Sequence, residues 1–459
     1  MANRAYELFE EQYYARTKKS KQMYEEARKY LAGGVVADGA YRTPYPLYMK
    51  EARGTKLWDI DGNEYIDIMS GGGPTILGHS PAPVMEAVKK QLDHGTQTLV
   101  THSAAVELAK KICQHMPGME EIRYVHSGSE AVHTVLRLSR VYTGREKHAK
   151  FEGNYNGQLD NELVSGSNFG GLEESPESVA QCPGIPHGVL NDIIVLPWNN
   201  TEASVALIKK HAKELASVVL EPVACAHMGG IPAEKTFVQA LRRVCDDYGI
   251  VLIFDEVITG FRLGLSGAYS ILGVIPDLRT MAKLVFGGLP GGLYGGRRQI
   301  MELVAAQPIS SQAGGIMFQK RKMFQSGTFA GNPISVTAGV ALIKELEKPG
   351  FYERIDGYGE RIRDGIRKIA TAMGFPVQVV GVGSMFTVYF SEHPVRTIRD
   401  AAKANKELGA AFYMGLIVNG VYVAPFHWAI TNGAMTDDDV DRILEGSEKI
   451  LKEMKRHQA

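Results

Sequence analysis

The chain of 459 residues is predicted to adopt an α/β fold, in which a mostly parallel sheet flanked by helices is followed by a smaller α+β domain. Short apolar runs at residues 193–196, 217–220 and 250–254 have the length and composition of buried parallel strands. From about residue 81 to residue 342 such runs alternate with helical patterns, as in repeated strand–helix–strand units. Residues 343–459 lack this alternation, which indicates a separate α+β domain.

The order of these patterns divides the chain into three expected parts. Residues 1–75 form an N-terminal segment that packs with the small domain, residues 76–342 form the large domain, and residues 343–459 form the small domain. The elements expected in the outer parts are a helix over 1–30, strands within 47–70, a helix over 352–373, a strand over 384–390 and a closing helix that begins near Thr436.

The bulk composition excludes several classes of protein. The 51 basic and 51 acidic side chains cancel, so nothing indicates a nucleic acid or an anionic membrane as partner. No apolar run approaches the ~18 residues of a membrane span, and residues 1–29 lack the apolar core of a signal peptide. The four cysteines show no C-x-x-C spacing and the histidines no metal-binding spacing, so we expect reduced thiols, no metal site and a cytoplasmic location.

Two residues in the large domain carry the strongest chemical signal. Asp255 directly follows the apolar run 250–254, which places it at the carboxyl end of the predicted strand. The carboxyl ends of parallel strands are where α/β sheets bind ligands. Lys283 lies between apolar residues and a Gly-Gly turn, and burial of a lysine makes its neutral, nucleophilic amine accessible. An aspartate that keeps a pyridine nitrogen protonated turns the ring into an electron sink. The pair therefore indicates pyridoxal phosphate as cofactor.

The chain resembles the class III aminotransferases that depend on pyridoxal phosphate, over nearly its whole length. This resemblance implies fold type I, as in aspartate aminotransferase, and is closest to the group of glutamate-1-semialdehyde aminomutases, β-amino acid aminotransferases and D-phenylglycine aminotransferase. The motifs that carry it are LWDIDGNEYID at 57–67, LGH at 77–79, SGSEA at 127–131, FEGNYNG at 151–157, LEPV at 220–223, FDEV at 254–257 and GTFAGNP at 327–333.

The phosphate-binding prediction concerns Ser127, Gly128 and Ser129, which precede an apparent helix over residues 130–142. The free N–H groups and the dipole at a helix N-terminus make such a turn an anion site, and the two hydroxyls add donors. A Ser-Gly-Ser sequence alone is also a common helix cap. The resemblance assigns these residues to the cofactor phosphate, although the family more often has threonine where this chain has Ser129.

The resemblance implies further cofactor contacts. Lys283 forms the Schiff base and Asp255 faces the ring nitrogen, while Tyr155 stacks on one ring face and Val257 packs against the other. The family usually has histidine after the stacking tyrosine, whereas this chain has asparagine, which leaves the role of that position open.

Two more residues extend the predicted cofactor site. Glu221 matches the glutamate of the family's Glu-Pro motif, either in direct contact with the cofactor or as a structural carboxylate beneath it. Thr328 resembles the threonine that reaches the phosphate of the neighbouring subunit's cofactor. If it does so here, the protein is a homodimer, or a larger assembly of dimers, with shared active sites; otherwise the residue belongs to an ordinary turn.

The substrate residues are predicted from departures from the family pattern. Aminomutases carry an arginine after the early Gly-Gly pair that grips the substrate carboxylate; residues 33–40 hold none here, and Arg42 is the nearest candidate. Gly72 stands where aminomutases have tryptophan, and Phe426 follows a proline where β-amino acid relatives have arginine. The pocket is therefore expected to be wide and apolar, for a bulky or hydrophobic donor or for an amino acid read by Arg42 or Arg262.

The sequence thus predicts a ping-pong aminotransferase that uses a small-molecule amine donor and a carbonyl acceptor. A glutamate-1-semialdehyde aminomutase, a decarboxylase with the same cofactor and a non-catalytic binding protein on the same fold remain alternatives. The segment 153–188, rich in Gly, Ser, Asn and Pro, is either an active-site lid or a surface excursion at the subunit interface.

Overall fold

The computed structural model describes residues 2–305, 323–423 and 428–457. Its helices, in chain order, are α1 (Ala2–Arg16), α2 (Lys18–Ala27), α3 (Ala82–Leu92), α4 (Ser103–His115), α5 (Gly128–Thr143), α6 (His187–Asn191), α7 (Thr201–His211), α8 (Lys235–Tyr248), α9 (Tyr269–Leu272), α10 (Arg298–Met301), α11 (Pro333–Leu346), α12 (Phe351–Ala372), α13 (Ile398–Lys403), α14 (Lys406–Val418) and α15 (Asp437–Arg456).

The strands, in chain order, are β1 (Met49–Arg53), β2 (Lys56–Asp59), β3 (Glu64–Asp67), β4 (Glu121–Val125), β5 (Lys147–Phe151), β6 (Gly171–Leu172), β7 (Ser175–Pro176), β8 (Ile193–Leu196), β9 (Leu215–Leu220), β10 (Val223–Ala224), β11 (Ile231–Pro232), β12 (Val251–Asp255), β13 (Leu278–Ala282), β14 (Gly292–Gly296), β15 (Val377–Val382), β16 (Met385–Phe390), β17 (Val421–Tyr422) and β18 (Trp428–Ile430). None of the described helices is both long and apolar enough to span a membrane.

The chain divides into two compact units. Unit 1 contains residues 1–82, 229–231 and 349–459, and unit 2 contains residues 83–228 and 232–348. Both ends of the chain therefore belong to unit 1.

Unit 2 is built on a mostly parallel sheet. Among the described residues this sheet has seven strands in the order β4-β14-β13-β12-β9-β5-β8. Only β14 runs antiparallel to its two neighbours in the sheet. The strands β9 and β12 are buried along their whole length, as their uninterrupted apolar sequences predict. The predicted α/β class with a mainly parallel sheet is thus confirmed.

The register of β12 and β13 positions the chemistry of unit 2. The strands are parallel, and Asp255, the last residue of β12, pairs with Thr280 of β13. β13 ends at Ala282, and a short 3-10 helix, Lys283–Phe286, follows it directly. The carboxyl ends of neighbouring parallel strands lie at one edge of the sheet, so Asp255 and Lys283 are brought to the same edge.

Unit 1 combines helices with two smaller sheets. Within the described residues these sheets have the strand orders β1-β2-β3-β17 and β15-β16-β18. Helix α1 packs on α14, which also packs on α15, around a core that includes Phe9, Phe386 and Phe412. The closing helix α15 begins where the sequence predicts, because Thr436 and Asp439 form a reciprocal capping box.

Candidate active site

Asp255 presents a buried carboxylate at the end of β12. It accepts hydrogen bonds from Asn156 Nδ2 at 3.0 Å, Thr280 Oγ1 at 3.1 Å and the Val257 backbone N at 3.2 Å. Burial raises the pKa of Asp255 to about 6, while these donors and the charge of Lys283 act in the opposite direction. The carboxylate is thus oriented and is mostly ionised at neutral pH.

The surroundings of Lys283 favour the neutral form of its amine. Burial lowers the pKa of Lys283, against the opposing negative charges nearby, and the positive charge of Arg262 lowers it further. Its backbone is left-handed, with φ of 51°, a conformation that costs a residue with a side chain roughly 1–2 kcal/mol. Such strain persists where the surrounding structure requires one side-chain direction, and it is common at functional sites.

The start of α5 has the features of an anion site. Ser127 is the N-cap, and its Oγ accepts from the Glu130 backbone N at 3.2 Å. A Cβ added at Gly128 would lie 2.8 Å from Cγ2 of Val257, so only glycine allows the helix to begin this close to the residue beyond Asp255. Ser129 Oγ accepts from the backbone N of Gln158 at 3.1 Å. The helix N-terminus therefore lies beside the Asp255 segment.

The loop after β5 carries Tyr155 to the same region. Its backbone N donates to Glu221 Oε1 at 2.6 Å, and its ring lies 5.5 Å from the ring of His227, tilted by 48°. The side chain of Tyr155 is among the exposed aromatic groups. An aromatic ring that is fixed through its backbone but keeps an open face is suited to stack on a flat ligand.

Glu221 directly follows β9 and forms hydrogen bonds with the two neighbouring loops. Besides Tyr155, its carboxylate accepts from the Cys225 backbone N at 3.3 Å, and its own backbone N donates to Asn154 Oδ1 at 2.8 Å. Burial raises the pKa of Glu221 to about 8, and the charge of Asp255 adds to this shift. These contacts with protein backbone favour the structural interpretation of Glu221 and leave a direct cofactor contact as a prediction.

Thr328 lies in an exposed turn that neighbouring residues hold in place. The side chain of Gln97 donates to the Thr328 carbonyl, and the backbone N of Phe329 donates to His126 Nε2 at 3.0 Å. Its predicted contact with another subunit's cofactor stays a prediction, because the structure contains one chain.

The predicted substrate residues have diverse surroundings. Arg42, in unit 1, is buried, donates to the Val423 carbonyl and lies 5.8 Å from the centre of the Tyr422 ring. Gly72 has a φ of 84° within a tight glycine turn of unit 1. Phe426 lies outside the described residues. Their roles toward a substrate stay predictions.

Sequence reasoning did not single out Thr280 and Lys150. Thr280 follows from the register of β12 and β13, which cannot be read from either strand alone. Lys150 is buried in β5 and donates from Nζ to the Glu162 carbonyl at 2.7 Å. Burial lowers the pKa of Lys150 to about 8, and the charges of Glu221, Glu162 and Asp255 oppose this shift. The sequence offered little signal for it, because β5 reads KHAKF and also contains Lys147 and His148.

Two polar side chains in this region have an atom without a protein hydrogen-bond partner. Within the described residues, Asn156 Oδ1 and His227 Nδ1 are buried without a hydrogen-bond partner, although most buried polar atoms in proteins have one. No group of three His, Cys, Asp or Glu side chains suited to a metal occurs in the described part of the chain. A lysine amine, an oriented carboxylate, an exposed aromatic ring and a helix N-terminus together match the functional groups of pyridoxal phosphate.

This fold and cofactor site define an enzyme dependent on pyridoxal phosphate. The sequence profile of the aminotransferase class-III family matches residues 38–451. The chain belongs to this family, and pyridoxal phosphate is its cofactor. The predicted family, fold type and cofactor are confirmed.

Individual relatives carry the names of two activities. A glutamate-1-semialdehyde 2,1-aminomutase of Persephonella marina is 38% identical over 442 residues, which cover 95% of this chain and 99% of that protein. An omega-transaminase from Sphaerobacter thermophilus is 31% identical with a TM-score of 0.87, covering 95% of this chain and 97% of that one. A transaminase solved with pyridoxal phosphate bound is also 31% identical, with a TM-score of 0.85, covering 96% and 99%.

Proposed function

We propose that the protein transfers an amino group from a bulky or hydrophobic amine or amino acid to an oxo acid or another carbonyl compound. The observation that carries this proposal is the meeting of Lys283 and Asp255 at the ends of the parallel strands β13 and β12. The amine and carbonyl substrates alternate on the enzyme, which predicts ping-pong kinetics.

Each residue of the site has a role in this proposal. When bound, pyridoxal phosphate supplies an electrophilic carbonyl carbon and a ring that accepts an electron pair. Asp255 holds a proton on the ring nitrogen. Lys283 Nζ holds the cofactor until a substrate amine displaces it; the freed amine then takes a proton from the substrate carbon, helped by a pKa that burial lowers.

The remaining cofactor residues bind and orient. Backbone N–H groups and hydroxyls at the start of α5, from Ser127 to Ser129, bind the phosphate. Tyr155 and Val257 pack against the two faces of the ring, which fixes its tilt without competing for its polar groups. Glu221 holds Tyr155 in position through the backbone hydrogen bond of 2.6 Å.

The donor class is inferred from how the two candidate arginines are engaged. Arg42 donates to the Val423 carbonyl and faces the Tyr422 ring, so a substrate carboxylate would have to compete with these contacts. A carboxylate desolvated without a cation is costly. This supports a donor without a carboxylate, or one whose carboxylate is read by Arg262, which is buried in unit 2 near Lys283.

A second candidate is the isomerisation of glutamate 1-semialdehyde. It is favoured by the names of relatives that are 37–38% identical to this chain over about 95% of its length. The cofactor residues serve both reactions, because an aminomutase also moves an amino group and a proton. The two activities differ in whether the carbonyl product leaves before the second half of the reaction.

The test is product analysis after single turnover with a panel of amines, with and without carboxylates, and with glutamate 1-semialdehyde. We expect a hydrophobic amine to yield a free carbonyl compound and an aminated cofactor with its changed visible absorption. Preference for glutamate 1-semialdehyde, with its isomer as the product, would establish the aminomutase instead.

Substitution of the lysine tests the central assignment. We expect Lys283→Ala to lose the visible absorption of the covalently held cofactor and to slow turnover by roughly 10²–10⁴-fold, as for removal of a general base. Borohydride reduction followed by peptide mapping should place the cofactor on Lys283. Lys147→Ala, which removes a lysine paired with Glu214, is the matched control and should behave as wild type.

A further inference from the structure

His126 joins the start of α5 to the turn that contains Thr328. It lies between β4 and α5, directly before the N-cap Ser127. On one side, Glu130 Oε2 accepts from both the backbone N and Nδ1 of His126 at 2.7 Å. On the other side, Nε2 accepts from the backbone N of Phe329 at 3.0 Å. The imidazole thus bridges two segments that are 203 residues apart in the chain.

The two hydrogen bonds determine which nitrogen of the neutral imidazole carries the hydrogen. A backbone N–H can only donate, so Nε2 facing Phe329 must be the unprotonated nitrogen. The hydrogen of the neutral ring then lies on Nδ1 and points to the Glu130 carboxylate. The groups that face this ring are therefore one carboxylate and one backbone donor, and each nitrogen is matched to its neighbour.

Close packing adds to this link. A Cβ added at Gly327 would lie 2.2 Å from Cε1 of His126, so the turn approaches the ring as closely as glycine allows. The ring of Phe329 meets the imidazole edge-on, with centres 6.3 Å apart and planes at 75°. Thr328 thus lies between two residues that contact His126, while the Gln97 side chain holds its carbonyl.

We propose that His126 is a positioning residue for phosphate binding: it fixes the Thr328 turn relative to the α5 N-terminus, so that the Thr328 hydroxyl is held ready before the cofactor binds. The inference rests on the proposed function, in which Ser127, Ser129 and Thr328 bind phosphate. Donors fixed in advance cost less conformational entropy on binding, so loss of the link should weaken the cofactor's phosphate contact alone. If Thr328 serves the neighbouring subunit, His126 links the phosphate sites of two subunits.

Two substitutions of His126 separate the hydrogen bond made by Nδ1 from the one made by Nε2. His126→Asn places an amide where Nδ1 donates to Glu130 and removes the acceptor for Phe329. His126→Gln reaches the position of Nε2, so its carbonyl oxygen can replace that acceptor. Thr328→Val removes the hydroxyl with little change of shape. His211→Asn is the matched control; it changes the last residue of α7, a histidine that pairs with Glu214.

The experiment measures dissociation constants of the apoprotein for pyridoxal phosphate and for pyridoxal, which lacks the phosphate. We expect His126→Asn and Thr328→Val each to weaken pyridoxal phosphate by about tenfold, the effect of losing one hydrogen bond to a charged group. The double variant should be no weaker than Thr328→Val alone, because His126 acts through that residue. His126→Gln and His211→Asn should stay near wild type, and pyridoxal should bind every variant equally.

Several results would overturn the inference. One is a double variant whose loss of affinity for pyridoxal phosphate is the product of the two single losses; another is a variant that binds pyridoxal as weakly, relative to wild type, as it binds pyridoxal phosphate. The inference also fails if His126→Asn weakens pyridoxal phosphate binding no more than His211→Asn does, or if Thr328→Val binds pyridoxal phosphate with wild-type affinity. Circular dichroism and thermal unfolding confirm that each variant is folded. A wild-type protein that binds no pyridoxal phosphate would instead refute the proposed function itself, so the two failures are distinguishable.

Discussion

Asn156 shows how a single residue changes the electrostatics of this site. The resemblance leads one to expect histidine there, yet the structure places the Asn156 amide 3.0 Å from the Asp255 carboxylate. An amide donates whatever the pH, whereas an imidazole gains a charge near neutrality. The charge of Asp255 is therefore held by neutral donors from Asn156, Thr280 and the Val257 backbone, together with the nearby amine of Lys283.

A prediction at this scale concerns Glu221. Burial raises its pKa from 4.5 to about 8, so in the unfolded apoprotein this carboxyl releases its proton first. The apoprotein consequently loses stability as the pH rises from about 4.5 to about 8, and the loss levels off above that. Glu221→Gln removes the titration, and we expect it to gain on the order of 3–4 kcal/mol relative to wild type between pH 5 and pH 8.

Thermal unfolding of the two apoproteins across this pH range measures the difference. Glu202→Gln, an exposed position on α7, is the control and should show a pH-independent difference. A gap between Glu221→Gln and wild type that narrows toward pH 8 would contradict the sign of the argument.

At the scale of elements, the site depends on where strands and helices end. β12 and β13 stop at the same edge of the sheet, and the α5 N-terminus approaches the Val257 segment at the glycine that allows it. The apolar sequence of each strand predicts that the strand is buried, but it does not predict which strand lies beside it. The separation of catalytic groups is therefore set by strand order and by element ends.

The prediction at this scale is that Gly128→Ala weakens pyridoxal phosphate binding. The added methyl would lie 2.8 Å from Cγ2 of Val257, so the helix start or the valine must move. We expect a loss of about tenfold in cofactor affinity, comparable to one phosphate hydrogen bond, measured by equilibrium titration of the apoprotein.

Gly357→Ala is the matched control for this substitution. Gly357 lies inside α12 with nothing within 4 Å of an added Cβ, so alanine should leave binding unchanged and stabilise the helix by ~0.5–1 kcal/mol. Equal effects of the two substitutions on cofactor affinity would show that the contact with Val257 is unimportant.

At the scale of the whole molecule, both ends of the chain contribute to unit 1, while the residues predicted to bind the cofactor lie in unit 2. Arg16, at the end of α1, donates to the carbonyl of Val418, at the end of α14. The residues predicted for the cofactor, from Ser127 to Thr328, all belong to unit 2. Unit 1 is thus completed only when both ends of the chain are present, because its core combines α1 with α14.

The prediction at this scale concerns sharing of sites between subunits. If Thr328 donates to the neighbouring subunit's cofactor, mixing Lys283→Ala with Thr328→Val chains creates heterodimers with one intact site. At a pyridoxal phosphate concentration too low to saturate Thr328→Val, we expect such mixtures to exceed the summed activity of the two variants, up to half of the wild-type value per heterodimer. Sedimentation analysis should give a dimer, and absence of complementation in verified heterodimers would place Thr328 in its own subunit's site.

The sequence by itself determined the α/β class, the strand that ends at Asp255, the N-cap at Ser127 and the family, because apolar runs, capping residues and ordered motifs are local signals. The tertiary structure alone decided that Thr280 and Asn156 hold the Asp255 carboxylate and that His126 meets the turn of Thr328. It also placed Arg42 against Val423 and Tyr422. These contacts join residues that are 25 to 381 positions apart, and their partners are set by strand register and packing, which local patterns do not encode.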